Sequence, residues 1–381
     1  MNWLIILLMV IAVVGCDDTD PLAPDPQGAD LHFRGGHDRG AGTLRVMTRN
    51  VYVGANLDVV LAAEDRAQVP VLVADAYRQL LASNFVERAE ALAREIRRTR
   101  PHLIGLQEIS TVRIQSPGDA IVGGTIPAEN VVFDYLEILL AALNRPRERY
   151  RVVAKVQNPD VEVPMLTSAD PTFDDIRLTD YDVILARRGV VVFDVVEQNY
   201  AAALPVPQLG VTIPRGYTIV TAEVGRKRYR FANTHLEPIS APGVLQIQLG
   251  QAQELIAALA GGENPVVLVG DLNSEAPDGA TYQLLLDNGF EDAWSSRPRR
   301  GSGLTCCHDP DLRHADVNFD QRIDYILGRP VVGSRLRAAR VRIIGDHPFE
   351  RTASGLWPSD HAGVWASLWF ASRGRALPFS R

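Results

Sequence analysis

Short apolar runs that stop at a single polar or acidic residue recur along this chain, separated by stretches with helical spacing. Leu44–Arg49 (LRVMTR) is β-prone and stops at Asn50. From Leu72 to Thr99 the apolar residues Val73, Tyr77, Leu81, Phe85, Ala89, Leu92 and Ile96 fall at steps of three and four, which predicts an amphipathic helix. Glu90 to Arg94 and Glu95 to Arg98 suit its solvated face. Pro101 ends that helix, and His102–Gln107 (HLIGLQ) predicts a buried strand delivered to Glu108. The same grammar returns later. Tyr229–Thr234 stops at His235, a Gln-rich helix follows over Val244–Leu259, and Pro265–Gly270 (PVVLVG) delivers Asp271. Between these halves, Thr111–Glu129 reads as loop, Val131–Leu143 as helix, and Pro159–Thr179 as an aperiodic surface loop. Tyr150–Val156, Tyr181–Arg187 and Gly189–Val195 read as strands, as do Arg322–Leu327, Leu336–Ile344 and Val364–Phe370 near the end. Strands alternating with helices in two similar halves predict an α/β (α+β) fold: a two-sheet β-sandwich flanked by helices, four layers deep, with pseudo-twofold halves.

The ends of the chain have a different texture. Trp3–Val14 is an uninterrupted apolar run, too short to span a bilayer comfortably and of the length expected for a signal-peptide core. It closes on Val13-Val14-Gly15-Cys16, which resembles a bacterial lipobox. That resemblance implies a signal peptide over residues 1–15, lipidation of Cys16, and a cell-envelope lipoprotein held to the membrane by its lipid; a plainly cleaved, secreted chain or a weak anchor helix is the alternative. Residues 17–42 carry three Pro, six Asp and five Gly with few large apolar side chains, so residues 16–42 read as a disordered tether. Residues 43–371 are expected to form the folded domain, and 372–381 a basic tail.

Composition narrows the function more than the fold. With 46 acidic and 39 basic residues among 381, the net charge is −7, and 46% of residues are hydrophobic. This is a chain with a sizeable core and no general affinity for polyanions, because neutralising phosphates takes clustered Lys and Arg. The clearest basic cluster, Arg226–Arg230 (RKRYR), reads as the solvated face of a strand, and Arg297–Arg300 is weaker. Catalysis on phosphate esters stays open, since a bound cation can supply positive charge.

The chemistry lies where the strands end. A carboxylate buried there costs several kcal/mol unless a cation or hydrogen bonds compensate it. Glu108, Asp271 and Asp324 sit on such strands and Asp360 follows the Trp357-Pro358-Ser359 turn, joined by Asn50, Asn273, His235 and His361. Carboxylates with amide oxygens form hard sites for Mg²⁺ or Ca²⁺, and hydrolysis of a phosphodiester needs a positioned water and stabilisation of the leaving oxygen.

Asn50, Leu106-Gln107-Glu108, Asn233-Thr234-His235-Leu236, Gly270-Asp271-Leu272-Asn273, Arg322-Ile323-Asp324-Tyr325-Ile326 and Ser359-Asp360-His361 occur in the order of the endonuclease/exonuclease/phosphatase superfamily. The resemblance spans roughly residues 43–371. That group includes pancreatic deoxyribonuclease, abasic-site endonucleases, neutral sphingomyelinases and inositol-polyphosphate 5-phosphatases. It implies that Glu108 is the principal ligand of a divalent cation, Mg²⁺ first and Mn²⁺ or Ca²⁺ next, with help from Asn50, and that Asp360 is a ligand of a second metal site. It implies that Asp271 activates water, Asn273 and His235 hold the phosphate, and His361 paired with Asp324 binds or protonates a phosphate oxygen. Asp360 also has a structural reading, because Pro358-Ser359 already define a turn. The expected substrate is a phosphate ester of a nucleic acid, a phospholipid or an inositol phosphate, handled by a monomer. A binding or adhesion module that has lost catalysis is the rival class, and a zinc hydrolase is disfavoured for want of clustered His.

Two further features stand apart. Gln246–Gln253 lies on the helix after His235, its amides facing solvent or packing. Cys306 and Cys307 are adjacent, so a bond between them would be a strained vicinal ring, and they read as a structural or redox-inert loop; His308 and His314 are near in sequence, but no Cys-x-x-Cys or His-x-x-x-His spacing supports a soft-metal site.

Overall fold

The computed structural model describes residues 43–372 apart from 148, 168–171, 208, 240 and 297–300. The expected signal peptide, tether, Cys16, the tail beyond Ser372 and the Arg297–Arg300 cluster lie outside the described residues.

Two sheets stack face to face. In the larger, of eight strands, Ser334–Ile344, Gly363–Ser372, Leu44–Asn50, Leu103–Gln107, Phe173–Arg187, Thr111–Gln115 and Asn130–Asp134 follow in order, and Tyr150–Leu166 also pairs with Phe173–Arg187. The smaller runs Glu291–Asp292, Asp324–Arg329, Val266–Asp271, Lys227–His235, Gly216–Val224, Val191–Asn199. Each has one parallel pair at its heart: Leu44–Asn50 with Leu103–Gln107, and Lys227–His235 with Val266–Asp271. A parallel pair requires a crossover, and helices supply it in both sheets. This is the twofold grammar expected from the sequence.

Successive side chains on these strands serve different cores. Val46, Leu103, Phe231, Val267 and Val269 point between the sheets. Their neighbours Met47 and Ile104 pack under helices Phe85–Thr99 and Tyr135–Leu143. Ala232, Val266 and Leu268 pack under helices Val244–Ala258 and Ala280–Asp287. Burial on both faces explains the continuous apolar runs and produces the four layers. Where the sheets meet, Asn233 Nδ2 donates across to the carbonyls of Leu106 (3.0 Å) and Val183 (3.2 Å), and its Oδ1 accepts from Gln107 Nε2 at 2.6 Å. Gly105 leaves room for that amide, since a Cβ there would strike both Asn233 Oδ1 and Val269.

Several expectations are corrected. The long helix over Leu72–Thr99 is two helices, Val69–Ala82 and Phe85–Thr99, because Asn84 turns left-handed (φ 43°) and caps the second through Glu87 N. The helix expected from Val131 begins at Tyr135; the β-branched Val131-Val132 continue a strand, and Asp134 caps the helix at Glu137 N. The expected loop Pro159–Thr179 falls largely within the hairpin Tyr150–Leu166 and Phe173–Arg187, and the loop from Thr111 opens with a strand that pairs with that hairpin. Its alternation (Val161, Val163, Met165; Ile176, Leu178) was interrupted by acids and prolines, so period-two burial did not stand out. Glu95 leaves the solvated face assigned to it: it is buried and pairs with Arg49 at 3.1 Å.

Candidate active site

Both parallel pairs end at the same rim of the sandwich. Asn50 and Gln107 are register partners in one sheet, His235 and Asp271 in the other, and Asp271 faces Asp324 across the antiparallel neighbour. Residues from distant segments thereby converge. Asn50 Nδ2 donates to Glu108 Oε1 at 2.8 Å and to Asp271 Oδ2 at 3.2 Å, linking the halves. Val53 N donates to Glu108 Oε2 at 2.7 Å, and Asn273 N to Asp271 Oδ1 at 3.0 Å. Asn273 Nδ2 lies 3.1 Å from His235 Nε2, while His361 Nδ1 lies 2.9 Å from Asp324 Oδ2 and 3.7 Å from Asp271 Oδ2. Asp360 borders the group, its Oδ1 3.3 Å from Ser359 Oγ, whose hydroxyl donates to Asn50 O at 2.8 Å. All eight residues singled out from the sequence meet here.

Tyr52, Glu108 and Asn273 hold the left-handed backbone region, with φ of 62°, 59° and 47°. Each such conformation costs of order 1–3 kcal/mol in a non-glycine residue, so the surrounding loops must enforce it. Arg88 is one enforcer. Fully buried on the helix Phe85–Thr99, its guanidinium donates to the carbonyls of Val51 (2.7 Å), Tyr52 (3.1 Å) and Pro358 (3.1 Å), tying the Asn50 loop to the turn before Asp360. Arg49, held by Glu95, donates to the carbonyl of His361. Gln248 and Gln251 act likewise in the other half. Both are buried, Gln248 Nε2 donating to the carbonyls of Glu237 (2.8 Å) and Asn273 (2.9 Å), whereas Gln246 and Gln253 face solvent.

The two histidines carry different charge. Burial opposes protonation of His361, yet Asp324, Asp360 and Asp271 outweigh it and hold the imidazolium well above the usual range. His235 meets donors at both ring nitrogens: Asn273 Nδ2 at Nε2 and Arg215 Nη1, 3.2 Å away, at Nδ1. Asp271 Oδ2 lies 3.6 Å from Nε2, yet burial together with the Arg215 charge outweighs it and drives the ring neutral. Burial and neighbouring Asp324 push the Asp271 carboxyl up to about 7, and burial pushes Asp360 up to about 6 and raises Glu108. The carboxylates outnumber the cations that face them. Hard oxygen donors short of positive charge are what a divalent cation such as Mg²⁺ requires, and Glu108 and Asp360 offer them, while Asn50 turns Nδ2 to the carboxylates and gives its Oδ1 to Tyr52 N.

The sequence reading missed Arg215, Glu237, Asp180 and Asp182. Arg215 Nε donates to Glu237 Oε2 at 3.2 Å while facing His235. Asp180 and Asp182 are buried two residues apart on one strand face, Asp180 accepting from Ser110 and Asn158. Acids at i and i+2 ahead of the apolar Val183-Ile184-Leu185 repeat the strand-and-acid grammar and were legible signals; Arg215 was not. The Arg226–Arg230 cluster begins the strand that ends in His235, roughly 26 Å away at ~3.3 Å per residue. Its Tyr229 is buried, Arg228 pairs with Glu223 and Arg230 caps helix carbonyls, which accords with a solvated strand face.

Fold and site define an α/β sandwich with buried carboxylates and paired histidines at one rim. The chain belongs to the Endonuclease/Exonuclease/phosphatase family, whose family model matches residues 50–361. No curated protein matches the sequence. Solved structures of similar fold include a family protein from Leptotrichia buccalis (15% identity, covering 86% of this chain and 100% of that one, TM-score 0.51). Another comes from Bacteroides vulgatus (17%, 87% and 100%, TM-score 0.53). A third is a mannosyl-6-phosphatase from Bacteroides thetaiotaomicron (15%, 86% and 100%, TM-score 0.52).

Proposed function

We propose that this protein hydrolyses phosphate esters, phosphodiesters first, with the aid of a divalent cation. The observation that carries the reading is the meeting of Asp271, Asn273, neutral His235 and the His361–Asp324 pair within hydrogen-bond reach, beside the Glu108 carboxylate that Asn50 Nδ2 ties to Asp271. Asp271 has a carboxyl poised near neutrality, the range in which a general base works best. It takes the proton of the attacking water. His361, protonated and fixed through Nδ1, presents Nε2 as a donor to a phosphate oxygen, where it offsets the charge that develops. Asn273 and His235 hold the phosphate from the other half without adding a competing positive charge. When bound at Glu108 and Asp360, the cation supplies charge neutralisation for phosphate oxygens. A purely binding module gives no reason to keep so many buried carboxylates, each costly in the absence of its counter-charge.

Nucleic acid, phospholipid and inositol phosphate are the diester and polyphosphate substrates proposed, and the phosphatase of similar fold makes a sugar monoester the comparison arm. The test is a panel of bis-p-nitrophenyl phosphate, DNA, sphingomyelin, inositol phosphates and mannose 6-phosphate with Mg²⁺, Mn²⁺ or Ca²⁺. Turnover that disappears in EDTA and returns with the cation supports the reading; full turnover in EDTA, or none on any ester, overturns it. Export as a monomeric lipoprotein anchored through Cys16 is proposed alongside, on the apolar run and Gly15-Cys16. Mass spectrometry of the mature N-terminus decides it: an acylated Cys16 supports anchoring, and an unmodified N-terminus refutes it.

A further inference from the structure

The segment Thr305–His308 is stitched to both strips that carry the His361–Asp324 pair. Thr305 N and Cys306 N donate to Gln321 O at 2.7 and 3.1 Å, and Gln321 N returns a bond to Cys306 O at 2.9 Å. His308 N donates to Asp360 O at 2.8 Å, and Ala362 N to Thr305 O at 2.7 Å. Cys306 and Cys307, joined as a vicinal disulfide, are thereby held against the catalytic rim, with Cys306 buried and Cys307 exposed. Cys307 Sγ lies 3.9 Å from His361 Nε2, and both sulfurs and that nitrogen fall within 4.8 Å of one another. The histidines close in sequence are elsewhere: His308 stacks between Phe319 and Trp357, and its Nδ1 lies 2.7 Å from Asn318 Oδ1 and 2.8 Å from His314 Nε2.

We infer that the reduced Cys306–Cys307 pair and His361 Nε2 form a second, soft-metal site, one that takes a thiophilic divalent cation such as Zn²⁺ or Cd²⁺ and inhibits the enzyme by occupying His361. Two thiolates and one imidazole select soft cations, whereas Glu108, Asn50 and Asp360 offer only hard oxygens and amide. His361 Nδ1 is already bonded to Asp324, which leaves Nε2 directed at the sulfurs and reproduces the carboxylate–histidine–metal arrangement that orients a metal-bound imidazole. Finally, a ligand to Nε2 removes the nitrogen that is to meet phosphate. The disulfide has no thiolate to offer, so the site exists only after reduction. With a phosphine as reductant, the S–S bond breaks, one water supplies the oxygen that leaves as phosphine oxide and the hydrogens that complete two thiols. On cation binding, the two thiol protons and the Nε2 proton of the imidazolium pass to buffer.

The experiment uses the full chain, oxidised or reduced with tris(2-carboxyethyl)phosphine and then freed of it. Cd²⁺ is titrated while the ultraviolet thiolate-to-cadmium charge-transfer band and hydrolysis of bis-p-nitrophenyl phosphate in excess Mg²⁺ are followed. Reduced protein is expected to develop the band with one Cd²⁺ per chain and to lose activity in step. Oxidised protein should do neither, and Cys306→Ser and Cys307→Ser, each checked by circular dichroism, should lose the band and need at least ~10²-fold more Cd²⁺ for equal inhibition. Equal inhibition of oxidised, reduced and serine forms places the cation at the carboxylates and overturns the proposal, as does a band formed with full activity retained, or failure of the phosphine to release two thiols. The inhibition rests on the hydrolase reading but the band does not: if the parent hydrolyses nothing, the band alone decides whether the site exists.

Discussion

Replacing Asp324 by Asn alters both titrating partners of the proposed reaction. Asp324 Oδ2 lies 2.9 Å from His361 Nδ1, and its carboxylate is also the charge facing Asp271, with donor oxygens of the two and the His361 nitrogen mutually within 4.8 Å. Two unit negative charges at that separation repel by about 3.5 kcal/mol at an effective dielectric constant of about 20, equivalent to roughly 2.5 pH units of Asp271 titration. The imidazolium beside them cancels part of this, so a displacement of about one to two units is expected. Asp271 titrates near 7 because burial and Asp324 both resist its ionisation. With Asp324 neutral, Asp271 ionises at lower pH and the ascending limb of the kcat profile moves acidward. His361 loses the chief carboxylate that sustains its charge against burial, so the descending limb moves acidward too. The whole bell therefore shifts to lower pH. Its height should fall ~10²–10⁴-fold, the range for removing a positioned acid or base, because His361 loses its orienting partner. The assay is kcat against pH on bis-p-nitrophenyl phosphate at saturating cation, for parent and Asp324→Asn. A bell of unchanged position and height would refute the coupling of these three residues.

Other consequences can be measured directly. Asp271→Asn and His361→Ala should each lower kcat at least ~10²-fold, and the double variant should fall far short of the product, as for groups acting as one unit; multiplicative losses would separate their roles. In Arg215→Met the cation facing His235 Nδ1 is gone, so the ring's protonation, followed by NMR, should move up by about one unit or more, while it stays neutral across the parent's titration. Asn84→Ala removes the cap to Glu87 N and leaves Ala at φ 43°, which should cost about 2 kcal/mol and lower the thermal midpoint by a few degrees with kcat unchanged.

The fold's centre was legible because its strands are buried on both faces. HLIGLQ and PVVLVG admit no polar face, so each could be read as a central strand, and the acids at their ends stood out as charges that need a partner. The doubled pattern of strand, helix and strand similarly announced two halves. The periphery was less legible. Pro159–Thr179 carries acids and prolines on half-exposed strands, and its strand character comes from pairing within the long hairpin and with Thr111–Gln115. Asn84 and Asp134 did carry local signals, each an acid-or-amide cap three residues before Glu, which the apolar periodicity running through them concealed.

Site membership, then, was written in the sequence, while site electrostatics was decided in three dimensions. His235 and His361 both follow strand-end motifs and are indistinguishable as letters. One is neutral because Arg215, twenty residues upstream, presents only donors to it; the other is charged because three carboxylates from separate segments surround it. Likewise Cys306 and Cys307 have His308 beside them in the chain, yet the nitrogen they meet belongs to His361, fifty-four residues away from Cys307. Periodicity reports how each segment is buried, which is a local property. Charge state depends on the sum of fields from neighbours that only the closing of two sheets upon each other brings within a few ångströms.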